Sequence, residues 1–503
     1  MSGLPRLHAE LGGAPLEEAD VLALAEVRVE QRLSRPAACL LLFRDPQGPL
    51  ARAATLATGS PLLLTLRGED VPLFEGEVSG LEYGWGPSRE RTVRLRAHDR
   101  MHRLRLRQSL RAHVQVTAGD LARELVADLG LSVEAPEPGP LRRRIVQHRQ
   151  TDLELLTEVA GDAGLFWTLR GNVLHLLTLE GTGDPLPLAL GQSLLQARVA
   201  VSAEGVCRSV ETAAWDPWRA EARRGRAAEA RVGRSTSAEA SPEGFSSPGE
   251  RFLAGEVAQT DAEADALARA DLDVRGAREV TLTAVAEGDP RLRPGALVEA
   301  SGLAGPFTGR FVLCAVDHVL SGDTGFVSEL SSAPPALPRR PDAAVAALGV
   351  VTRVDDPEEL GRVRVSLPAF GDVETDWLEV VVPGAGRGKG IVALPDAEDR
   401  VLVLLARGDP AQGVVLGGLY GPLSPPDHGV EGAAVKRYTI RTPGGHTIQM
   451  DDGQATLRIE DSRGSRLEMA PDRLRLHAET DLEIEAPGHS VVVRAQRIDF
   501  ERG

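Results

Sequence analysis

The sequence predicts a mainly β protein in three parts, with a few capped helices confined to the first. Three observations carry this. Runs of β-branched and alternating residues recur through the first 335 positions; five or six short strands crowd into residues 343–423; and from Tyr438 onward apolar and polar residues alternate, with apolar pairs about eight residues apart. Two Pro-rich stretches, 331–341 and 421–427, read as linkers. They divide the chain into 1–335, 343–423 and 436–503.

In the first part, residues 71–81, 92–97, 173–179, 280–285 and 310–319 carry the strand pattern. Thr117 and Asp120 open a helix that should run to Gly130. Thr151 and Glu154 form a second start signal, in which hydroxyl and carboxylate satisfy free N–H groups of the first turn. That helix should bury Leu153, Leu156, Val159 and Ala160 and stop at Gly164. Thr260 and Glu263 open a third, Ala-rich helix to about Val274. Residues 214–249 turn Arg/Ala-rich and then rich in Ser, Glu, Gly and Pro, which predicts a loop or insertion.

In the second part, strands are expected over 348–354, 361–367, 377–383, 390–394, 399–405 and 413–419. So many short strands in so few residues point to a small closed barrel, an OB-fold. In the third, the apolar pairs are Leu457/Ile459, Leu467/Met469, Leu474/Leu476, Leu482/Ile484, Val491/Val493 and Ile498/Phe500. Turn residues separate them, and Arg458, Glu460, Arg466, Glu468, Arg475, Glu483 and Glu485 occupy the other face. One thin ladder cannot bury such a row. Three copies wound round one axis can, and closure also removes the sheet edges. The tail therefore predicts a homotrimeric needle with these twelve side chains as its core, a single-chain right-handed β-helix being the alternative.

Composition narrows the function. With 503 residues, 42% hydrophobic and 26% charged, the chain should form three or four globular domains. Its net charge of −16 argues against nucleic acid, whose binders need basic surface to release counterions. The arginine clusters at 103–111, 142–144 and 219–234 are expected to be solvated faces or subunit contacts. Residues 1–15 lack the apolar core of a signal peptide and no apolar run could span a bilayer. Cys39, Cys207 and Cys314 are expected as buried free thiols of a protein made in the cytoplasm.

Motifs that could carry chemistry are weak. The run Gly384-Ala385-Gly386-Arg387-Gly388-Lys389-Gly390 lacks the Ser or Thr and the following helix of a phosphate loop, so it is expected to be a turn. His98 and His102 stand four apart without a third ligand. His446 is expected to be a turn histidine, the alternative being that three copies meet an ion or anion on a threefold axis; His477 and His489 lie in the needle, whose inward positions are apolar. Asp355/Asp356, Glu358/Glu359 and Asp451/Asp452 fall in turns with no apolar pocket to shift a pKa. No catalytic, cofactor or metal residues are expected, and with 4% aromatics few ring platforms exist for sugars.

The wording of several segments resembles the VgrG and phage hub-and-spike family. Gln147-His148-Arg149-Gln150-Thr151-Asp152-Leu153-Glu154 with Ala163-Gly164-Leu165-Phe166-Trp167 is similar to its hub helix. Gly288-Asp289-Pro290-Arg291-Leu292-Arg293-Pro294-Gly295, Phe307-Thr308-Gly309-Arg310-Phe311 and Val316-Asp317-His318 resemble its closing barrel. Leu360-Gly361-Arg362-Val363-Arg364-Val365, Asp376-Trp377-Leu378 and Gly417-Gly418-Leu419-Tyr420-Gly421 resemble its OB domain, and Thr442-Pro443-Gly444-Gly445-His446 the start of its β-helix. The glycine usual before the Asp-Glu-Val strand is missing from Pro395-Asp396-Ala397-Glu398-Asp399-Arg400-Val401. The resemblance implies a hub of two tube-initiator-like β-barrels, with Trp167 and Trp377 in cores, and a triple-stranded intertwined β-helix needle. It also implies a homotrimeric, non-enzymatic central spike of a contractile injection machine, either a phage-tail-like particle or type VI secretion. Expected partners are an inner-tube ring, baseplate proteins, a PAAR-type tip protein and effector cargo, with a membrane met only on puncture. The other functions weighed are a tail-associated cell-wall hydrolase and a glycan-binding β-helix adhesin.

Overall fold

A computed structural model describes residues 7–51, 57–87, 90–216, 221–240, 249–337 and 343–500. The chain forms two compact units, Met1–Gly418 and Leu419–Gly503. It is mainly β, with four α-helices among the described residues: α1 (Glu18–Ala23), α2 (Ala118–Val126), α3 (Asp152–Asp162) and α4 (Asp261–Glu279).

The first unit is organised by one eleven-stranded sheet whose neighbours are all antiparallel. Its order is Leu194–Val201, Val280–Glu287, Gly325–Ser331, Ala315–Ser321, Leu24–Arg32, Arg35–Arg44, Arg91–His98, Phe74–Trp85, Pro61–Leu66, Leu7–Leu11 and Ala14–Pro15. Strands from residues far apart in sequence therefore meet in the middle of the sheet, where Leu24–Arg32 pairs with Ala315–Ser321 and Arg32 Nη2 donates to Asp317 Oδ2 at 3.0 Å. Alternation dictates which residues turn inward. Along Arg35–Arg44 the side chains of Cys39, Leu41 and Phe43 are buried, joining Val27, Val29, Leu62, Leu64 and Leu95 in one core. A second core gathers Leu282, Ala284, Val298, Phe311, Val316 and Leu330.

The residues between these two groups in sequence build a helical core. Thr117 and Thr151 cap α2 and α3 as capping boxes with Asp120 and Glu154. Leu121, Leu125, Leu156 and Val159 then pack on Trp167, which is fully buried and donates its indole N–H to Thr157 Oγ1 at 3.1 Å. Gly130 and Gly164 both follow these helices with positive φ, the left-handed turn that glycine adopts without strain.

Residues 345–419 form a six-stranded sheet in the order Val373–Glu374, Arg364–Leu367, Val345–Arg353, Arg400–Leu405, Gly413–Leu419, Glu379–Val380. A Val363–Leu378 bridge adds to it, and Val351, Val363, Val365, Val401, Val403 and Val415 fill its interior. Trp377 is buried, with the Arg353 and Arg364 guanidiniums 5.4 and 5.0 Å from its ring centroid.

Several expectations need correction. Residues 390–394 form no strand; Gly386 and Lys389 exchange backbone hydrogen bonds in a tight turn, and Ile391 and Val392 stay exposed. Apolar content marked them as a strand, but no neighbouring strand is there to pair with them. The run 310–319 breaks at Leu313 and Cys314, because Gly309–Val312 pairs with Ala296–Ser301 while Ala315–Ser321 belongs to the large sheet. Helix α4 continues past Val274 to Glu279, whose carboxylate is held by Arg208 and Arg234. The segment 214–249 is not simply a loop. Ser209–Asp216, Glu221–Ala227 and Glu250–Val257 make a three-stranded sheet against α4, with Val210 and Ala227 beneath it; residues 228–240 are irregular, as expected, and 217–220 and 241–248 lie outside the described residues. Its polar composition hid the strands because their outer face is arginine-rich.

In the second unit, Arg437–Arg441, Thr447–Asp451, Thr456–Glu460, Arg466–Ala470 and Arg473–His477 pair consecutively as an antiparallel meander. A single-chain right-handed β-helix would need parallel coils, which this ladder does not contain.

Candidate assembly surfaces

The meander registers its apolar residues into one face. Tyr438 opposes Met450, Ile440 opposes Ile448, Met450 opposes Leu457, Ile448 opposes Ile459, Leu457 opposes Met469, Ile459 opposes Leu467, Leu467 opposes Leu476 and Met469 opposes Leu474. The sequence pairs up to Leu476 therefore share a surface, and Tyr438, Ile440, Ile448 and Met450 extend it. Those four continue the same alternation two strands earlier, so the signal that found the rest could have found them.

This face lies open. Ile440 is 60% exposed, Leu474 64% and Leu476 56%. The opposite, polar face is the better covered one: Arg437, Thr439, Gln449, Arg458 and Glu468 are all half-buried. Asp427 organises one end of it, accepting from Arg437, Thr439 and Gln449 and from the Gly429 backbone. In one copy the sheet is thus inverted with respect to solvent. Ten apolar side chains on one face, eight of them exposed and Leu457 and Leu467 half-buried, far exceed the scattered apolar residues of ordinary surfaces. Beyond His477 the described residues form no strand, and Leu482, Ile484, Val491, Val493, Ile498 and Phe500 are exposed.

Elsewhere, apolar side chains project from the OB-like sheet and its loops. Leu348, Leu360, Ile391 and Val392 are exposed. The first unit's arginines, by contrast, are largely spent internally. Arg103 meets Glu77, Arg107 meets Asp128, Arg142 meets Asp162 and Arg143 meets Asp376. Arg223 meets Asp216, and Arg231 meets Asp273 and Glu137.

The residues considered for chemistry are dispersed. The rings of His98 and His102 lie 5.7 Å apart, with His98 bonded to Ser79 Oγ and His102 beside Glu77. Among the described residues no group of three potential metal ligands converges. His446 sits in the turn before Thr447–Asp451, and His477 bonds Glu479. Asp355 pairs with Arg353 on the surface. Asp356 is buried beneath Arg362, whose side chain holds it well below the usual carboxylate range. Cys39, Cys207 and Cys314 are free and buried. No described helix is long and apolar enough to cross a membrane.

Comparison with known proteins agrees with this architecture. The model of a phage tail baseplate hub family matches residues 31–324, and that of a type VI secretion system/phage-baseplate injector OB domain matches 347–420. Among curated proteins no sequence matches. An Escherichia coli component of the type VI secretion system, described as structurally similar to T4 bacteriophage tail proteins gp27 and gp5, superposes with a TM-score of 0.55 at 14% identity, over 82% of this chain and 99% of its own. The 43 kDa tail protein of prophage MuSo2 from Shewanella oneidensis gives 0.50 at 15% identity, over 66% and 98%. The Francisella PdpA–VgrG complex gives 0.51 at 7% identity, over 94% and 88%.

Proposed function

The chain belongs to the phage tail baseplate hub family and carries an injector-type OB domain, and on that footing we propose that it is the homotrimeric central spike of a contractile injection machine. The observation that carries the reading is the inverted tail sheet, with its apolar row open to solvent and its polar row half-covered. Two further copies supply the missing side. In the trimer the meander faces close on one another, and the residues beyond His477 find strand partners on neighbouring copies. Leu457, Ile459, Leu467, Met469, Leu474, Leu476, Leu482, Ile484, Val491, Val493, Ile498 and Phe500 are then the core, with Tyr438, Ile440, Ile448 and Met450 above them.

The hub would seat the first ring of the inner tube among baseplate proteins, and a PAAR-type protein would cap the needle. On this reading the spike's work is mechanical: it nucleates the tube and, driven by the contracting sheath, pierces the target envelope, with no catalysis of its own. Synthesis in the cytoplasm and release within an assembled particle accompany the proposal. Light scattering on the purified chain tests it. A mass near three times 53.6 kDa is expected, and a monomer at micromolar concentration would refute it.

A further inference from the structure

Inside the hub a cleft of about 90 Å³ opens between the strands Leu24–Arg32 and Phe166–Arg170, the start of Phe74–Trp85 and the turn at Pro290–Arg293. One water needs about 10–15 Å³ of such space, so a small ion with its waters fits. The polar side chains on its walls are Gln31, Glu75, Asp99, Thr168, Arg170 and Arg293.

Two half-buried guanidiniums share this cleft without a counter-ion. Arg170 is fixed by Nη1 donating to Thr182 Oγ1 at 3.1 Å and Nη2 to the Pro294 carbonyl at 3.0 Å, while its buried Nε has no acceptor. The Arg293 side chain makes no hydrogen bond or ion pair among the described residues; its backbone carbonyl accepts from Ala296. The acids that act on them are already engaged. Asp289, whose charge acts on Arg293, is gripped by Arg291 at 2.7 Å, and Glu134, whose charge acts on Arg170, pairs with His175 at 3.1 Å. Across the cleft, Glu75 pairs with Arg100 at 2.9 Å. Asp99 accepts backbone N–H groups from Ala37 and Met101, and burial pushes its carboxyl up to about 7. Burial, joined by the Arg293 charge, pushes Arg170 down to about 10, and burial likewise lowers Arg293.

A pair of like charges withdrawn from water with unused donors is costly unless an anion completes it. Guanidinium forks match the geometry of oxyanions. Gln31 adds to the site: its buried amide oxygen lacks a donor, and turning the amide presents its NH₂ instead. We propose that this cleft is a binding site for a small free oxyanion of the phosphate type, held between Arg170 and Arg293.

Thermal melting and calorimetric titration of the full-length protein test this, with inorganic phosphate against chloride at equal ionic strength. Saturable stabilisation and heat from phosphate alone are expected. Arg293→Gln, which removes no hydrogen bond of the fold, should weaken phosphate by about tenfold or more, and Arg293→Lys should retain part of it. Phosphate acting no differently from chloride on the parent protein overturns the proposal, whether or not the variants fold. So does undiminished phosphate binding by Arg293→Gln.

Discussion

Replacing Leu476 and Ile484 together by Asp probes the tail where its two halves meet: Leu476 lies in the last described strand and Ile484 just beyond it. They are 56% and 68% exposed in one chain. Covering the exposed part of each side chain contributes about 1–2 kcal/mol. Counted over both positions in three copies, the lost burial is on the order of 10 kcal/mol. The carboxylates add several kcal/mol each if forced inside a closed bundle, where three copies of each would also repel one another. No trimer held at micromolar concentration withstands such a loss. Sedimentation and light scattering across a dilution series should therefore show the parent as a trimer and the double variant as a monomer. Arg475→Gln is the control, because Arg475 opposes Glu468 on the polar face and an amide there adds no like charge; its substitution should leave the mass unchanged. A double variant that sediments and melts like the parent would refute the burial argument.

Three further outcomes concern single copies of the chain. Arg362→Met strands buried Asp356, which now accepts from Arg362 Nη2 at 2.6 Å and Nε at 2.8 Å; a loss of about 3–5 kcal/mol is expected by denaturant titration. Because Arg362 lowers the Asp356 pKa, this pair's contribution is present above the ordinary Asp range and fades as pH falls toward the folded value. His318 is buried against Ser328 Oγ, and burial pushes it down to about 4. The unfolded chain takes up its proton first, so stability should fall as pH drops from about 6.5 to about 4, and His318→Gln should flatten that stretch of the pH–melting profile. Thr157→Val leaves the Trp167 indole N–H unpaired in the core; a cost of about 1–3 kcal/mol should appear in fluorescence-detected unfolding.

How far the sequence was legible depended on how local each signal is. The capping boxes at Thr151 and Thr117 are complete within four residues, and both helices begin where they predict. The tail's alternation was readable for the same reason, since a period of two needs no knowledge of the partner strand. Failures came where pairing is non-local. The 390–394 run looks like a strand until its neighbours are known. Glu221–Ala227 looks like a loop because its arginines hide the inward Gly225 and Ala227, which pack toward α4. The Arg170–Arg293 cleft was invisible for a related reason. The two residues lie far apart in sequence, and nothing in either segment reveals that Asp289 and Glu134 are already taken.

The two units differ in what one chain can satisfy. Trp167, Phe43, Phe311 and Val403 are buried without help from another copy, so substitutions there should cost folding of the chain itself. Tyr438, Ile440, Leu474 and Leu476 are exposed, while Asp427 draws Arg437, Thr439 and Gln449 into a network on the other side. That network fixes which face of the meander stays apolar. A one-residue slip in register would break its bonds as well as turn the apolar residues away. The polar side thus specifies the orientation, and the apolar side supplies the attraction between copies. Damage to Asp427 should therefore misdirect assembly, whereas damage to Leu476 should weaken it.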